Sequence, residues 1–350
     1  RQTWLSFVSM FDRNAINYST VSFQLLEDLI QGLRTRCTEP EILGLLARSS
    51  LTLGPNLFCS RVTLDQIVRL YQIAAVETGD EMMGLWSRPV RPGALKHLVT
   101  SVRESSSLPS AIFRFSTFWN LILDDYRFEV WSEGNLVSLN LIGIDGSRPQ
   151  PFGHMLILKL CHGLISWLGG REVPVVSVDF LFARPEFAKD YAFIFPAPVS
   201  FDCSNSRIVF DVEKIGKAVI RTNADILEFM RKAPRDWIFT SYTEHTFVSR
   251  IRNYIFENSW AECNLSCVSR AFHMTQRTLL RRLEGERTSF QLIKDGMRRD
   301  MAIRYLGDGR KNIEEISDDL GFSSSSNFYR SFKRWTGESP SKYIRIHRKV

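Results

Sequence analysis

The chain is poor in the residues that carry metal and redox chemistry. Six cysteines are scattered at positions 37, 59, 161, 203, 263 and 267, and no CxxC occurs. Cys263 and Cys267 are four apart, but no His or Cys follows at zinc-like spacing, so free thiols in a reducing cytosol are expected. The six histidines (97, 154, 162, 245, 273 and 347) make no pair at i, i+3 or i, i+4. His154 and His162 lie eight apart in an apolar stretch and read as core or rim residues. There is no GxxxxGK[ST], no GxGxxG and no GxSxG, so neither a phosphate loop nor a nucleophile elbow is present. Gly169-Gly170 reads as a helix stop. Asp124 and Asp125 are adjacent and cannot face one another as a carboxylate dyad. No catalytic residue, metal or cofactor is expected. No run of 18 apolar residues appears, so no membrane span is expected. The opening RQTWLSFVSMFDRN lacks a basic segment followed by an apolar core, which argues against a secretory signal. It also lacks a starting Met, as a processed chain or a fragment would.

Apolar residues make up 44% of the 350 positions, enough for a packed core, and the length suits two or three domains. The charge is uneven. Residues 244–350 hold 20 Lys+Arg against 13 Asp+Glu, a net of +7, which is the net charge of the whole chain. Residues 1–243 are therefore neutral. Positive charge confined to one end is the electrostatic footprint of nucleic-acid binding.

That end contains NIEEISDDLGFSSSSNFYRSFKRWTGESPSKY, Asn312 to Tyr343. Ile313, Ile316 and Leu320 share one helix face. Gly321 stands where a helix-ending left-handed residue is needed. Ser323 or Ser324 then offers an N-cap, and Phe328, Phe332 and Trp335 set a second apolar stripe. Two short helices about a Gly-containing turn make a helix-turn-helix. Its second helix carries Ser325, Ser326, Asn327, Arg330, Lys333 and Arg334, a mixture suited to base edges and phosphates.

A weaker copy, NLSCVSRAFHMTQRTLLRRL, runs from Asn264 to Leu283. Val268-Ser269 matches Ile316-Ser317 at a spacing of 48; beyond the turn, Leu279, Arg281 and Leu283 match Phe328, Arg330 and Phe332 at 49. His273 stands where Gly321 stands, and His tolerates positive φ moderately well. Between the copies, Ile293, Met297 and Met301 predict a connecting helix over 291–306 that packs on both. Gly296 costs that helix about 1 kcal/mol relative to alanine. A stiff connector would let both recognition helices enter successive major-groove segments, about 34 Å apart.

Residues 264–345 resemble the AraC/XylS-type DNA-binding domain. The resemblance rests on Phe290, Arg298, Ala302 and Leu306, then Leu320-Gly321-Phe322, Phe328, Arg330, Phe332-Lys333, Gly337, Ser339-Pro340 and Tyr343. Ser269 and Ser317 depart from the family's usual alanine, and Leu280 from a common base-reading polar residue. By position, the resemblance implies base readers Arg277 and Arg281 in the first unit. In the second it implies Ser325, Ser326, Asn327 and Arg330.

Upstream, the apolar spacing predicts helices over 21–36, from Thr63 to Gly79, over 94–102, over 110–123 and over 152–168. Thr63 and Gln66 form a capping-box pattern. Residues 126–131 and 136–142 predict a hairpin about Glu133-Gly134-Asn135. Further strands are expected at 175–182, 191–195, 199–201 and 207–211, giving a largely antiparallel sheet. This order resembles the arabinose-binding-like effector domain seen in ornithine and arginine utilisation regulators. Glu77-Thr78-Gly79-Asp80, Gly84-Leu85, Arg91-Pro92-Gly93 and the segment from Ala197 to Asp211 carry the likeness, over about 15–230.

The expected fold is an α+β effector and dimerisation domain at 1–230, a linker at 231–243, and an all-α double helix-turn-helix domain at 244–350. The resemblance implies a cytoplasmic bacterial regulator that binds double-stranded operator DNA and contacts RNA polymerase. It also implies control by a small-molecule effector or by homodimerisation. An enzyme fused to a DNA-binding tail is the competing reading, disfavoured by the scattered cysteines. A ligand-independent regulator is not separated from an effector-controlled one by sequence.

Overall fold

The computed structural model describes residues 20–49, 51, 61–144, 149–195, 197–215, 221–231, 233–234, 247–258, 263–285 and 288–347. Buried apolar side chains fall into two clusters, one from Val21 to Phe229 and one from Phe247 to Tyr343.

The first cluster opens with β1 (Thr20–Ser22), which leads straight into α1 (Phe23–Leu33). Ser22 caps α1 by accepting the Gln24 N–H at 3.2 Å. The helix expected over 21–36 is thus shorter, because its first residues pair antiparallel with β2 (Arg61–Thr63). Next come α2 (Glu39–Arg48), which periodicity did not single out, α3 (Leu64–Thr78), α4 (Ala94–Arg103) and α5 (Leu108–Ile122). β3 (Tyr126–Glu133) and β4 (Leu136–Gly143) form the expected hairpin. Gly134 turns it at φ 56°.

α6 (Pro151–Gly169) is the centre of this half. Every residue from Phe152 to Leu168 is buried, and the helix packs on α1, α5 and the sheet. It is long and apolar enough to cross a membrane, but 94% of its apolar window is covered by this fold, as in a core helix. Gly170 ends it at φ 66°, in the left-handed cap expected of Gly169-Gly170. Lys159 is buried here and must be paired. Its Nζ lies 3.2 Å from His162 Nδ1, and His162 Nε2 lies 2.9 Å from the Val173 carbonyl. The carbonyl fixes the Nε2–H tautomer, so Nδ1 accepts from the lysine. Burial pulls Lys159 down to about 8 and His162 to about 3.

β5 (Val175–Asp179) ends three residues earlier than its alternation suggests. α7 (Tyr191–Ile194) replaces the strand expected at 191–195. Tyr191 and Phe195 are both buried, and a helical turn places residues four apart on one face, where Tyr191 meets Phe180 and Phe201. A strand would also have aligned them with Phe193, which the alternation alone could not distinguish. β6 (Val199–Ser200), β7 (Ser206–Asp211), α8 (Val212–Ile215) and α9 (Asn223–Arg231) complete this half. The sheet order is β3-β4-β7-β5-β6, antiparallel except for β5 with β6. At its outer edge, Asn120 of α5 accepts the Phe128 N–H at 2.7 Å and donates to the Phe128 carbonyl at 2.8 Å. One side chain thus closes part of an exposed edge.

The second cluster is all helical: α10 (Phe247–Glu257), α11 (Leu265–Ala271), α12 (Gln276–Gly285), α13 (Phe290–Asp308), α14 (Ile313–Asp319), α15 (Ser325–Thr336) and α16 (Pro340–His347). α13 packs on α10, α14, α15 and α16, and also touches β2 of the first half.

Candidate nucleic-acid interface

Each helix pair is built by the same local bonds. In the first unit, Asn264 caps α11 by accepting the Cys267 N–H at 2.9 Å. In the second, Asn312 and Glu315 form a reciprocal capping box on α14. The turns coincide. His273 has φ 52° and Gly321 has φ 69°. The His273 N–H donates to the Arg270 carbonyl and Met274 N–H to that of Ser269, both at 3.0 Å. Gly321 and Phe322 do the same to Asp318 and Ser317, at 2.9 and 3.0 Å. Thr275 caps α12 by accepting the Thr278 N–H at 3.1 Å. Ser324, rather than Ser323, caps α15 by accepting the Asn327 N–H at 3.3 Å.

The apolar faces anchor the second helices. Leu279 and Leu283 of α12, and Phe328 and Phe332 of α15, are fully buried. Opposite faces are left to solvent. Arg277 and Arg281 are exposed one turn apart, with no ion-pair partner among the described residues. On α15, Ser326 and Arg330 are exposed, while Ser325 and Asn327 are half-buried. Asn327 is not independent: it donates to Ser323 Oγ at 2.7 Å and accepts from Arg330 Nη2 at 2.6 Å. The structure therefore brings Ser323, Asn327 and Arg330 together as one hydrogen-bonded row at the start of α15. Leu280 is 38% exposed on α12, an apolar group on an otherwise basic face.

α13 fixes the two units to one another. Arg298 donates to the carbonyls of Leu320 and Gly321 at 2.9 and 2.8 Å, with its guanidinium 4.7 Å from the Phe322 ring centre. It thereby holds the second turn through the orphan carbonyls at the end of α14. One helical turn earlier, Lys294 donates to the Cys263 carbonyl at 2.7 Å, just ahead of α11. Periodicity marked Met297 and Met301 but not these polar latches. Arg298 was marked only through the family resemblance, and Lys294 had no signal beyond its i, i+4 spacing from it on a helix that must meet both units.

Two family models match this chain in order. "Arabinose-binding domain of AraC transcription regulator, N-term" covers residues 58–216, and "Helix-turn-helix domain" covers 268–346. The chain belongs to the AraC family of transcription regulators. It is 25% identical to the ornithine utilization regulator of Pseudomonas aeruginosa over 225 residues, 64% of this chain and 63% of that protein. It is 34% identical to the regulator VqsM of the same species over 204 residues, 57% of this chain and 61% of that one. The chain thus spans just under two thirds of these two relatives. The crystal structure of CdpR from Pseudomonas aeruginosa aligns over 95% of this chain and 100% of its own, at 20% identity and a TM-score of 0.31. Within the AraC family, the mixed α/β half with its sheet and the helical half with two helix-turn-helix units take their expected order.

Proposed function

We propose that the protein is a cytoplasmic, non-catalytic transcription regulator that reads double-stranded operator DNA with two recognition helices, α12 and α15. The carrying observation is the pair of equivalent turns at His273 and Gly321. Each presents a second helix with a buried apolar face and an exposed basic face, and one connector joins them. In this reading Arg277, Arg281 and Arg330 reach base edges or adjacent phosphates, and Ser325, Ser326 and Asn327 supply shorter bonds. The capped starts of α12 and α15, at Thr275 and Ser324, hold phosphates through backbone N–H groups. Residues 1–230 sense a small-molecule effector or pair with a second copy, 231–243 link, and 244–350 bind DNA and contact RNA polymerase.

The test is selection of bound sequences from a random duplex library, then titration of the enriched site. Arg330→Ala is expected to weaken the selected site by about 1–3 kcal/mol and to relax selectivity at one position. Unchanged affinity and selectivity would remove Arg330 from the readers. Failure to enrich any sequence would remove the proposal.

A further inference from the structure

A cavity of about 550 Å³ lies between α1, the 84–87 loop and the first turn of α6. Its wall is rigid. Buried Asp80 accepts the N–H groups of Met82, Gly84 and Val90, each at 2.9 Å. Gly84, at φ 76°, sits so close to α1 that a Cβ would meet the Gly32 carbonyl oxygen.

The polar groups facing this cavity are mostly occupied by the protein itself. Thr35 Oγ1 donates to the Gly32 carbonyl at 2.8 Å, and Ser87 Oγ to Asp125 at 3.0 Å. Gln150 accepts the Gly153 N–H at 2.9 Å. Its amide nitrogen donates to the Asp28 backbone carbonyl at 3.0 Å. Only two lining residues are charged. The Arg36 guanidinium lies 3.5 Å from Asp80 and donates to the carbonyls of Trp86 and Ser87 at 3.2 and 3.0 Å. The Asp28 carboxylate is different: among the described residues it accepts no hydrogen bond and meets no cation. Burial and neighbouring Glu27 raise it to about 6, so it is ionised at neutral pH without compensation. An unpaired, half-buried carboxylate destabilises a fold, and such groups concentrate at functional sites.

Two more unpartnered groups are nearby. The Trp86 Nε1–H and the Tyr191 hydroxyl are buried with no hydrogen-bond partner among the described residues. Burial, and after it the Asp28 charge, raises the Tyr191 phenol. Trp86 is held by stacking on His154 and by an edge contact with Tyr126, at 6.2 and 5.9 Å between centres.

We propose that this cavity is the effector site of the regulator and takes a small alkylamine, whose ammonium pairs with Asp28 and whose apolar stem lies against Trp86. Other ligand classes fit the walls less well. A divalent cation needs six or more oxygens, and one carboxylate does not supply them. A neutral sugar needs an array of free donors and acceptors, but Thr35, Ser87 and Gln150 are already engaged, which leaves Gln31 alone among the uncharged polar side chains of the lining. An anion would meet an uncompensated carboxylate. An ammonium gains a charge-assisted bond to the unpaired carboxylate. The position also suits signalling. α1 follows directly from β1, β1 pairs with β2, and β2 packs on α13 between the two DNA-binding units. A ligand that holds α1 in one position is thereby mechanically joined to the connector.

This site rests on the regulator reading for its purpose but not for its chemistry, and the test separates the two. The full chain is titrated by calorimetry and melted with n-butylammonium, putrescine or agmatine, and with n-butanol and L-arabinose as neutral probes. At least one amine should bind and raise the melting temperature. Asp28→Asn should weaken that amine at least tenfold while melting no lower than the parent, and Trp86→Phe should weaken it by a smaller factor. The proposal is overturned if none of the three amines binds, if Asp28→Asn binds them equally, or if a neutral probe binds as tightly. The same preparation is titrated with library-selected DNA. DNA binding without an amine response removes the site alone; an Asp28-dependent amine response without DNA binding removes the regulator reading alone.

Discussion

The two helix-turn-helix units share a backbone but not a degree of finish. Both turn through a left-handed residue with the same two hydrogen bonds, although one residue is His273 and the other Gly321. The second unit adds a capping box, a cluster of Phe322, Phe328 and Phe332, and the Arg298 fork on its turn. The first has a one-way cap at Asn264 in place of the box, leucines in place of the phenylalanines at the two anchors, and exposed Leu280. What the motif requires is a backbone shape and two buried anchors. The residues that meet those needs can differ, at differing cost in stability.

The largest contrast lies in the anchors. Phe332→Ala should destabilise the protein by about 3–5 kcal/mol, and Leu283→Ala by about 2–5 kcal/mol with less lost volume. Chemical denaturation of the intact chain measures both. A smaller loss at Phe332 than at Leu283 would break the ranking of the two units.

The turns come next. Gly321→Ala should cost about 1–2 kcal/mol, because a Cβ is disfavoured at φ 69°. His273→Gly should be near neutral or stabilising by a few tenths of a kcal/mol, since relief of the φ 52° conformation offsets the added chain entropy. Thermal melts of both variants would show whether the two turns are under the same demand.

Two buried serines give an opposite-sign test. Ser269 Oγ donates to the Ser266 carbonyl at 2.9 Å, whereas Ser317 Oγ is buried without a partner among the described residues. Ser269→Ala should cost about 0.5–1 kcal/mol, and Ser317→Ala should gain on the order of 1 kcal/mol. Equal effects in denaturation would remove this distinction.

A change far from both units sharpens the comparison as a control. Asp28 is raised to about 6 in the folded protein, above its ordinary value near 4, so the fold holds its proton more tightly than the unfolded chain does. The penalty is present above pH 6 and is released as pH falls through about 6 towards 4. Asp28→Asn should therefore melt higher than the parent at pH 7.5, with an advantage on the order of 1 kcal/mol or less after solvent screening. That advantage should shrink by pH 5. Paired melting curves at the two values check it, and contacts within either DNA-binding unit should be unaffected.

Legibility varied with the range of the interaction. The left-handed turn at His273 was readable by matching it to Gly321, and a serine cap at 323 or 324 was readable from composition. The helix from Pro151 and the 126–143 hairpin were readable because their periodicity is long. Tyr191–Ile194 was not, since five apolar residues fit a strand or a helical turn until Phe180 and Phe201 settle which side chains must coincide. α2 escaped notice although Thr38 and Glu41 cap it, because the Pro40 beside them reads equally as a break. The row of Ser323, Asn327 and Arg330 was visible only as residue types; their mutual bonds required the turn to be closed.

By itself the sequence determined the two-part plan, the basic end and the paired helix-turn-helix units. All of these are written in local spacing and in charge counted along the chain. Only the tertiary structure decided the strand order β3-β4-β7-β5-β6, the Arg298 fork and the cavity with its unpaired Asp28. Each joins residues far apart in sequence, and whether a polar atom finds a partner depends on every group packed around it.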